Sequence, residues 1–348
     1  MFVLSSDVTI GNFRFSGVNE VEIKRSLHSI ADTAIIKIPS IARIIKNGKT
    51  TGGSIITGKQ FSDGDPVTIK LGYNGNLQTE FSGFVKRRNL DMPLEVTCEG
   101  YSWLLRRNNI SQFWPSVTIK DLLKAAVSGI DGGYAINVIC DVDFELSNVG
   151  INNGSGFDIV NDISKFTDGS LSCFFIQPDT LWCGLVNSPY ANGNDVFNAG
   201  IVNYRLGYNV VKDNNLKERL TEDDPVEVTY SKRLSNGDKI LQTSDVIKTV
   251  ARAHSKIRNH INDASTLKQL ANEKAYQLNY SGYEGSISAF LQPFATPGCQ
   301  AYITDDRYPE RNGTYIIEGT EVHFGINGAR RIVEIGLKTG FANDIQND

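Results

Sequence analysis

The chain has 348 residues, 40% hydrophobic and 21% charged, with a formal net charge of −4. That length holds two or three ordinary domains, and the composition predicts packed globular structure and not disorder. The acidic balance gives no general argument for nucleic-acid binding.

The opening MFVLSSDVTIGNFRF lacks the basic region and continuous apolar stretch of a signal peptide. No apolar run reaches the roughly 18 residues of a membrane span. Synthesis in a cytoplasm is therefore expected. Cys98, Cys140, Cys173, Cys183 and Cys299 are odd in number and scattered, which argues against a disulfide framework. The N-x-S/T patterns at Asn109, Asn153, Asn279 and Asn312 read as chance.

Residues 1–106 read as antiparallel strands. Val21 and Ile23 alternate with Glu20, Glu22 and Lys24, and Ala34, Ile36 and Ile38 alternate with Thr33, Ile35 and Lys37. A period of two marks a sheet with one buried face. Residues 48–58, rich in Gly, Thr and Ser, look like a loop. Val67, Ile69 and Leu71 lead to Asn74-Gly75, a strong hairpin signal because a type I′ turn needs positive φ at both central positions. Leu94, Val96 and Cys98 continue the meander, material for a small barrel or sandwich.

Residues 107–187 change character. Thr118 is placed to cap a helix bearing Leu122, Leu123 and Ala126 on one face, and Ser155 a second helix over about 157–166. A hairpin turning at Pro178-Asp179 completes a small α/β insert. Residues 188–250 contain strand pairs, one turning at Asn236-Gly237, around a connector ending in TEDDP. These strands are expected to complete the first barrel and the insert. Residues 251–348 give a helix over about 265–278, with Leu267, Leu270, Ala271 and Leu278 inward, and then strands.

Two segments share a frame. Gly64 opens GDPVTIKL and Phe81 follows 17 positions later; Gly298 opens GCQAYITD and Tyr315 also follows after 17. Val67 and Ile69 fall on Ala301 and Ile303. Internal duplication is one reading; hairpins of this length in unrelated barrels are the other.

The string F-x-x-G-D-x-V-x-I-x-L-G-Y-x-G over Phe61–Gly75, then FSGFV from Phe81, is similar to the N-terminal barrel of the baseplate hub proteins of contractile-tailed, Mu-like bacteriophages. VEIKRSLHSIADTAIIKIP before it and CEGYSWLLRR after it fit the same pattern. YSGYEGSISAF, P-x-x-x-P-G-C-Q-A-Y-I-T-D and YPERNGTYIIE resemble the second barrel of that family. The order of elements matches across nearly the whole chain, although about 130–260 matches in arrangement alone.

The resemblance implies a β-rich fold with an α/β insert: two similar antiparallel β-barrels per chain, separated by a small α/β domain and assembling into a ring. It implies a structural baseplate hub of a phage or prophage contractile tail, related to parts of type VI secretion spikes and other contractile injection systems. The hub would be a homotrimer joining the hexameric tail tube protein to the central spike protein, with a bore for DNA ejection and passing contact with phage DNA. Its place would be the virion tail baseplate, assembled in a bacterial host's cytoplasm, with no cofactor and no enzymatic activity. A three-fold ring meets a six-fold tube with similar contacts when each subunit carries two similar surfaces, so the resemblance favours duplication for the shared frame.

No catalytic, cofactor-binding or metal residues are assigned. Asp141, Asp143 and Glu145 have the makings of a carboxylate or metal cluster, or of an outward strand face with Val142 and Phe144 inside. Cys173 and Cys183 face each other across a hairpin as metal ligands or as buried thiols; zinc requires about four ligands. His28, His254, His260 and His323 form no H-E-x-x-H, no G-x-S-x-G is present, and Gly154-Ser155-Gly156 reads as a helix cap. No Gly-rich phosphate loop ends in Lys-Ser or Lys-Thr. Lys248, Arg252, Lys256, Arg258, Lys268 and Lys274 outnumber Asp263 and Glu273, as a solvated face or as a basic surface toward an acidic neighbour or DNA. Lys86, Arg87, Arg88, Arg106 and Arg107 carry the same two readings. A carbohydrate-binding tail or surface adhesin is the alternative function, with Trp103, Trp114 and Trp182 as stacking candidates. A tail-associated cell-wall hydrolase is the second; it needs a raised-pKa Glu with a partner carboxylate, which the sequence does not display.

Overall fold

The computed structural model describes residues 3–46, 49–130, 132–212, 215–219, 225–234, 236–245 and 252–339. Strand makes up 52% of it and helix 16%, so the fold is β-rich, as the alternation predicts.

β1 (Leu4–Ile10), β2 (Phe13–Phe15), β3 (Glu20–Ser26) and β4 (Thr33–Ile38) bury Val8, Ile10, Val21, Ile23, Ala34, Ile36 and Ile38. After β5 (Ile41–Lys46) and β6 (Lys49–Ile56), the meander resumes with β7 (Pro66–Tyr73), β8 (Asn76–Asn89) and β9 (Leu94–Glu99). Asn74 and Gly75 both have positive φ, 53° and 80°, and Tyr73 pairs with Asn76, the type I′ geometry the turn signal requires. The loop expected over 48–58 is a correction. β6 runs through most of it, paired antiparallel with β5. Its β-branched Thr50, Thr51, Ile55 and Ile56 favour a strand, and Asn47-Gly48 is itself a hairpin signal.

The next segment holds α1 (Ser102–Leu105), β10 (Ile110–Thr118), α2 (Ile119–Val127), β11 (Asn137–Cys140), β12 (Glu145–Gly154), α3 (Gly156–Phe166), β13 (Ser172–Gln177), β14 (Thr180–Gly184) and α4 (Asn187–Ala191). Both predicted caps form. The Thr118 hydroxyl accepts from the Asp121 N–H at 3.1 Å, and Ser155 and Asp158 make a reciprocal capping box. β13 and β14 form the expected hairpin, and β11 adds in parallel to β14.

The remaining elements are β15 (Ile201–Arg205), β16 (Val210–Lys212), β17 (Lys217–Arg219), β18 (Val226–Arg233), β19 (Lys239–Thr243), β20 (Arg252–Ile257), α5 (Ala264–Leu278), β21 (Gly282–Ala289), β22 (Gln300–Thr304), β23 (Gly313–Gly325) and β24 (Gly328–Lys338). Their pairing departs from expectation. β15 joins β22, and β16 and β17 join β21, so these strands extend the C-terminal sheet and not the first meander. β18, β19 and β20 form a separate sheet. Val228 and Tyr230 of β18, with Leu267, Leu270, Ala271 and Ala275 of α5, enter the hydrophobic cluster of the insert.

No sheet among the described residues closes on itself. Where two separate barrels were expected, both groups of strands lie in one 14-stranded sheet, ordered β16-β21-β24-β23-β3-β4-β9-β8-β7-β1-β2. β23 is the reason. Its 13 residues pair with β22 over the first part and with β3 over the second, and β24 lies along its other side. Val322, Phe324 and Ala329 accordingly share a core with Val21, Ile36 and Ile69.

Candidate functional site at the junction of two similar lobes

The two halves of the long sheet repeat a local device. Ser62-Asp63-Gly64-Asp65 is a turn closed by the Asp65 N–H on the Ser62 carbonyl at 3.1 Å, and Thr296-Pro297-Gly298-Cys299 is closed by the Cys299 N–H on the Thr296 carbonyl, also at 3.1 Å. Gly64 and Gly298 have φ of 92° and 91°, the left-handed region that favours glycine. Gly64 donates to the Val85 carbonyl, and the Val85 N–H returns to Asp65; Gly298 donates to the Ile317 carbonyl, and the Ile317 N–H returns to Cys299. Each turn thus latches onto the long strand that follows. The aromatic match is offset: Val67 pairs with Gly83, whereas Ala301 pairs with Tyr315. The structural partner of Phe81 is therefore Gly313, two residues from the place the 17-residue frame assigned.

Buried polar contacts lock the lobes together. Arg331 of β24, 1% exposed, donates to Glu80 of β8 at 2.8 Å and to the carbonyls of Ala295 and Leu291. Burial raises the Glu80 carboxyl above its ordinary value, against the lowering pull of Arg331. The Tyr73 hydroxyl donates to the Ala329 carbonyl and accepts from the Leu291 N–H. Arg25 of β3 reaches three places at once: Asp32 at 2.9 Å, the Thr296 hydroxyl of the second lobe at 2.7 Å, and the Phe175 carbonyl of the insert at 3.3 Å. His28 lies 3.4 Å from Glu318 of β23. That hydrogen bond raises its pKa, while burial and Lys274 oppose. These contacts tie the C-terminal strands to the first meander.

The residues singled out in the sequence are distributed, not gathered. Asp141, Asp143 and Glu145 are exposed and alternate with half-buried Val142 and buried Phe144. Asp141 accepts from the Trp182 indole at 2.7 Å, and Glu145 from the Ser116 hydroxyl. Cys140, Cys183 and Cys173 occupy one row across β11, β14 and β13 as free thiols. The contact with Cys173, together with burial, pushes Cys183 well above the ordinary thiol value, opposite to what a reactive thiolate requires. Trp182 is buried, Trp103 stacks on Phe84 at 5.2 Å, and Trp114 packs against the insert core. Lys86 and Arg106 pair with buried Glu99, Arg88 with Asp63, and Lys268 with Asp245. Arg107 lies over Trp103, and Lys248 lies outside the described residues.

Three polar clusters escaped the sequence reading. Asp168, at the end of α3, receives His254 Nε2 at 2.6 Å and the Tyr230 hydroxyl at 3.1 Å, with Arg258 at 3.7 Å. Burial opposes ionisation there, but His254 and Arg258 hold the carboxyl below its ordinary value. Ser170 beside it donates to the Leu270 carbonyl. Glu22, Glu321 and His323 converge within 4.8 Å across β3 and β23, and Lys24 already sits 2.9 Å from Glu321. Glu273 of α5 is fully buried and accepts from the N–H groups of Val186, Asn187 and Ser188 and from the side chains of Asn187 and Ser188. It anchors α4 to α5. Each cluster joins residues far apart in the chain, a proximity that no local spacing reveals.

No family model matches the chain, and no curated protein matches it by sequence. Solved structures share its fold. The tail protein from Neisseria meningitidis MC58 superposes with a TM-score of 0.63 at 11% identity, covering 96% of both chains. The 43 kDa tail protein of prophage MuSo2 from Shewanella oneidensis gives 0.61 at 11% identity, over 96% of this chain and 98% of that one. An E. coli component of the type VI secretion system, described as structurally similar to bacteriophage T4 tail proteins, gives 0.60 at 10% identity, over 96% of this chain and 77% of its own. Over 96% of its length the chain shares the fold of these proteins.

Proposed function

We propose that this chain is a structural hub of a phage or prophage contractile-tail baseplate. Three copies form a ring whose six similar lobes meet a six-fold tail tube on one side and a three-fold central spike on the other. The observation that carries this reading is the latched glycine turn, present twice on one continuous sheet in a chain with the fold of tail proteins. A cyclic trimer presents six similar surfaces when each subunit contributes two. Residues 1–106 and 251–348 supply the lobe strands, 107–187 the α/β insert, and 188–250 strands shared between the insert and the second lobe; β20 and α5, which open the last segment, go with the insert.

The role is architectural and not catalytic. The buried carboxylates Glu80, Glu99 and Glu273 are held by ion pairs or hydrogen bonds, and Cys173 and Cys183 are buried thiols. The basic residues near 86–107 largely face acidic or aromatic partners, which suits a bore that DNA passes through without being held, since phosphate contacts are strong and salt-dependent. The particle would be built in a bacterial cytoplasm, and the hub would reside in the tail baseplate.

Light scattering with negative-stain imaging tests the proposal. The expected result is three times the chain mass and a ring in projection. A monomer that persists at high concentration overturns it. A carbohydrate array and peptidoglycan zymography check the adhesin and hydrolase alternatives; silence in both is expected.

A further inference from the structure

The hairpin of β13 and β14 packs on both faces. Phe174 and Trp182 lie on one side, in a cluster with Leu27, Ile316 and Leu337 from the lobes. Cys173, Phe175, Leu181 and Cys183 lie on the other, in the hydrophobic cluster of the insert. The Phe175 carbonyl also accepts from Arg25 of β3 at 3.3 Å. Through this hairpin the insert meets the lobes.

The face toward the insert carries a pair of thiols. Cys173 lies directly opposite Cys183 in the antiparallel register, and its thiol donates to the Cys183 sulfur at 2.7 Å. Opposite residues in such a pair have Cα atoms about 4.5–5.5 Å apart, within the roughly 4.4–6.8 Å that a disulfide spans. Cys140 sits across from Cys183 on β11, but its thiol turns to the Val142 carbonyl at 3.3 Å. Two sulfurs meet and the third stands aside, which suits a bond between two thiols and not a metal held by three. Cys173 also lines a cavity of about 320 Å³, with Ser172, Lys274 and Gln277 on its wall. The Lys274 ammonium favours an anionic reagent there.

We propose that Cys173 and Cys183 form a reversible dithiol–disulfide site, closed by exchange with a small anionic disulfide such as oxidised glutathione, and that closing it braces the hairpin between insert and lobes. The Cys173 thiol gives its proton to water, and its sulfur attacks one sulfur of the glutathione disulfide. One glutathione leaves as a thiolate and takes up a proton. Cys183 then loses its proton, attacks the Cys173 sulfur and expels the second glutathione. Two cysteine thiols are oxidised to one disulfide, and one glutathione disulfide is reduced to two thiols. The contact with Cys173, and then burial, raise Cys183 above the ordinary thiol value, which gives it the second, slower step. Cys173, reached from the cavity, takes the first. A reducing cytoplasm keeps such a pair open, and an oxidising exterior closes it. This chemistry needs neither a ring nor a tail.

Thiol mapping on the full chain tests the site. The reduced protein is equilibrated with oxidised glutathione under native conditions, then denatured, alkylated and cleaved before its aspartates, which separates the two cysteines at Asp179. Cys173 and Cys183 are expected to escape alkylation as a cross-linked pair of peptides that dithiothreitol releases. Cys140→Ser should leave that cross-link in place, and Cys183→Ser should stop at a glutathione mixed disulfide on Cys173. In hydrogen exchange, oxidation should slow the β13–β14 amides by about tenfold. Alkylation of both cysteines in the wild-type chain, a bond that takes in Cys140, or glutathione retained on wild-type Cys173 overturns the site. Unchanged exchange with the bond formed overturns the brace. The wild-type map decides the matter even where a serine variant folds poorly.

Discussion

Arg331 and Glu80 are 251 positions apart and form an ion pair that water barely reaches. Removing one partner of such a pair leaves a buried charge and costs about 3–5 kcal/mol, whereas replacing both by apolar groups of similar size is far milder. Arg331→Met should therefore lower the urea midpoint sharply, and Glu80→Leu added to it should recover most of the loss. Glu273→Ala removes the acceptor of five hydrogen bonds and should cost about 3 kcal/mol, read in the same unfolding experiment. His28 adds a pH dependence. Glu318 raises its pKa above the ordinary 6.5, so the folded state holds the proton more tightly than the unfolded chain does. The contribution is complete below that ordinary value and is lost as pH rises through the raised one. The melting-temperature gap between wild type and His28→Gln should accordingly be wider at pH 6 than at pH 9. Arg331 and Glu80 carry no signal in the sequence, and His28 and Glu273 are legible there as single residues without their roles, because each acts through a partner that only the fold brings near.

At the scale of elements much was legible. Alternating burial in β3, β4 and β7, the type I′ turn after Tyr73, and the caps at Thr118 and Ser155 all follow from residue type and spacing, and they form as read. The misreadings have physical reasons too. Gly52, Gly53 and the threonines made 48–58 look like a loop, although Asn47-Gly48 followed by a β-branched run is also a hairpin pattern. Matching Phe81 to Tyr315 tracked the aromatic residues, while the backbone latch obeys the glycine. The latch gives a test of equivalence. A Cβ on Gly64 would come within 2.8 Å of Trp103, and one on Gly298 within 2.9 Å of Phe197. The left-handed conformation alone costs a non-glycine residue about 1–2 kcal/mol. Gly64→Ala and Gly298→Ala should each destabilise by at least that amount in chemical denaturation. A neutral result at either would show that its turn relaxes freely and that the two latches are not equivalent.

At the scale of the molecule, the resemblance to hub proteins led toward two barrels, and each strand group does have its own alternation and its own turns. What it could not display is the length over which β23 is shared. Seven register pairs, Gly319 with Ser26 through Gly325 with Glu20, stitch the C-terminal strands to the first meander, and Phe324 and Val322 fill the first lobe's core. One continuous sheet joins the two lobes through backbone pairing and a shared core. The consequence is cooperativity: neighbouring elements that share backbone pairing and a core open together. In hydrogen exchange, Gly298→Ala, placed in the second lobe, should therefore speed exchange in the β7–β8 segment as well as in β22–β23. Acceleration confined to β22–β23 would mean that the lobes open independently, and that the seam along β3 and β23 is a contact between two bodies instead of the spine of one.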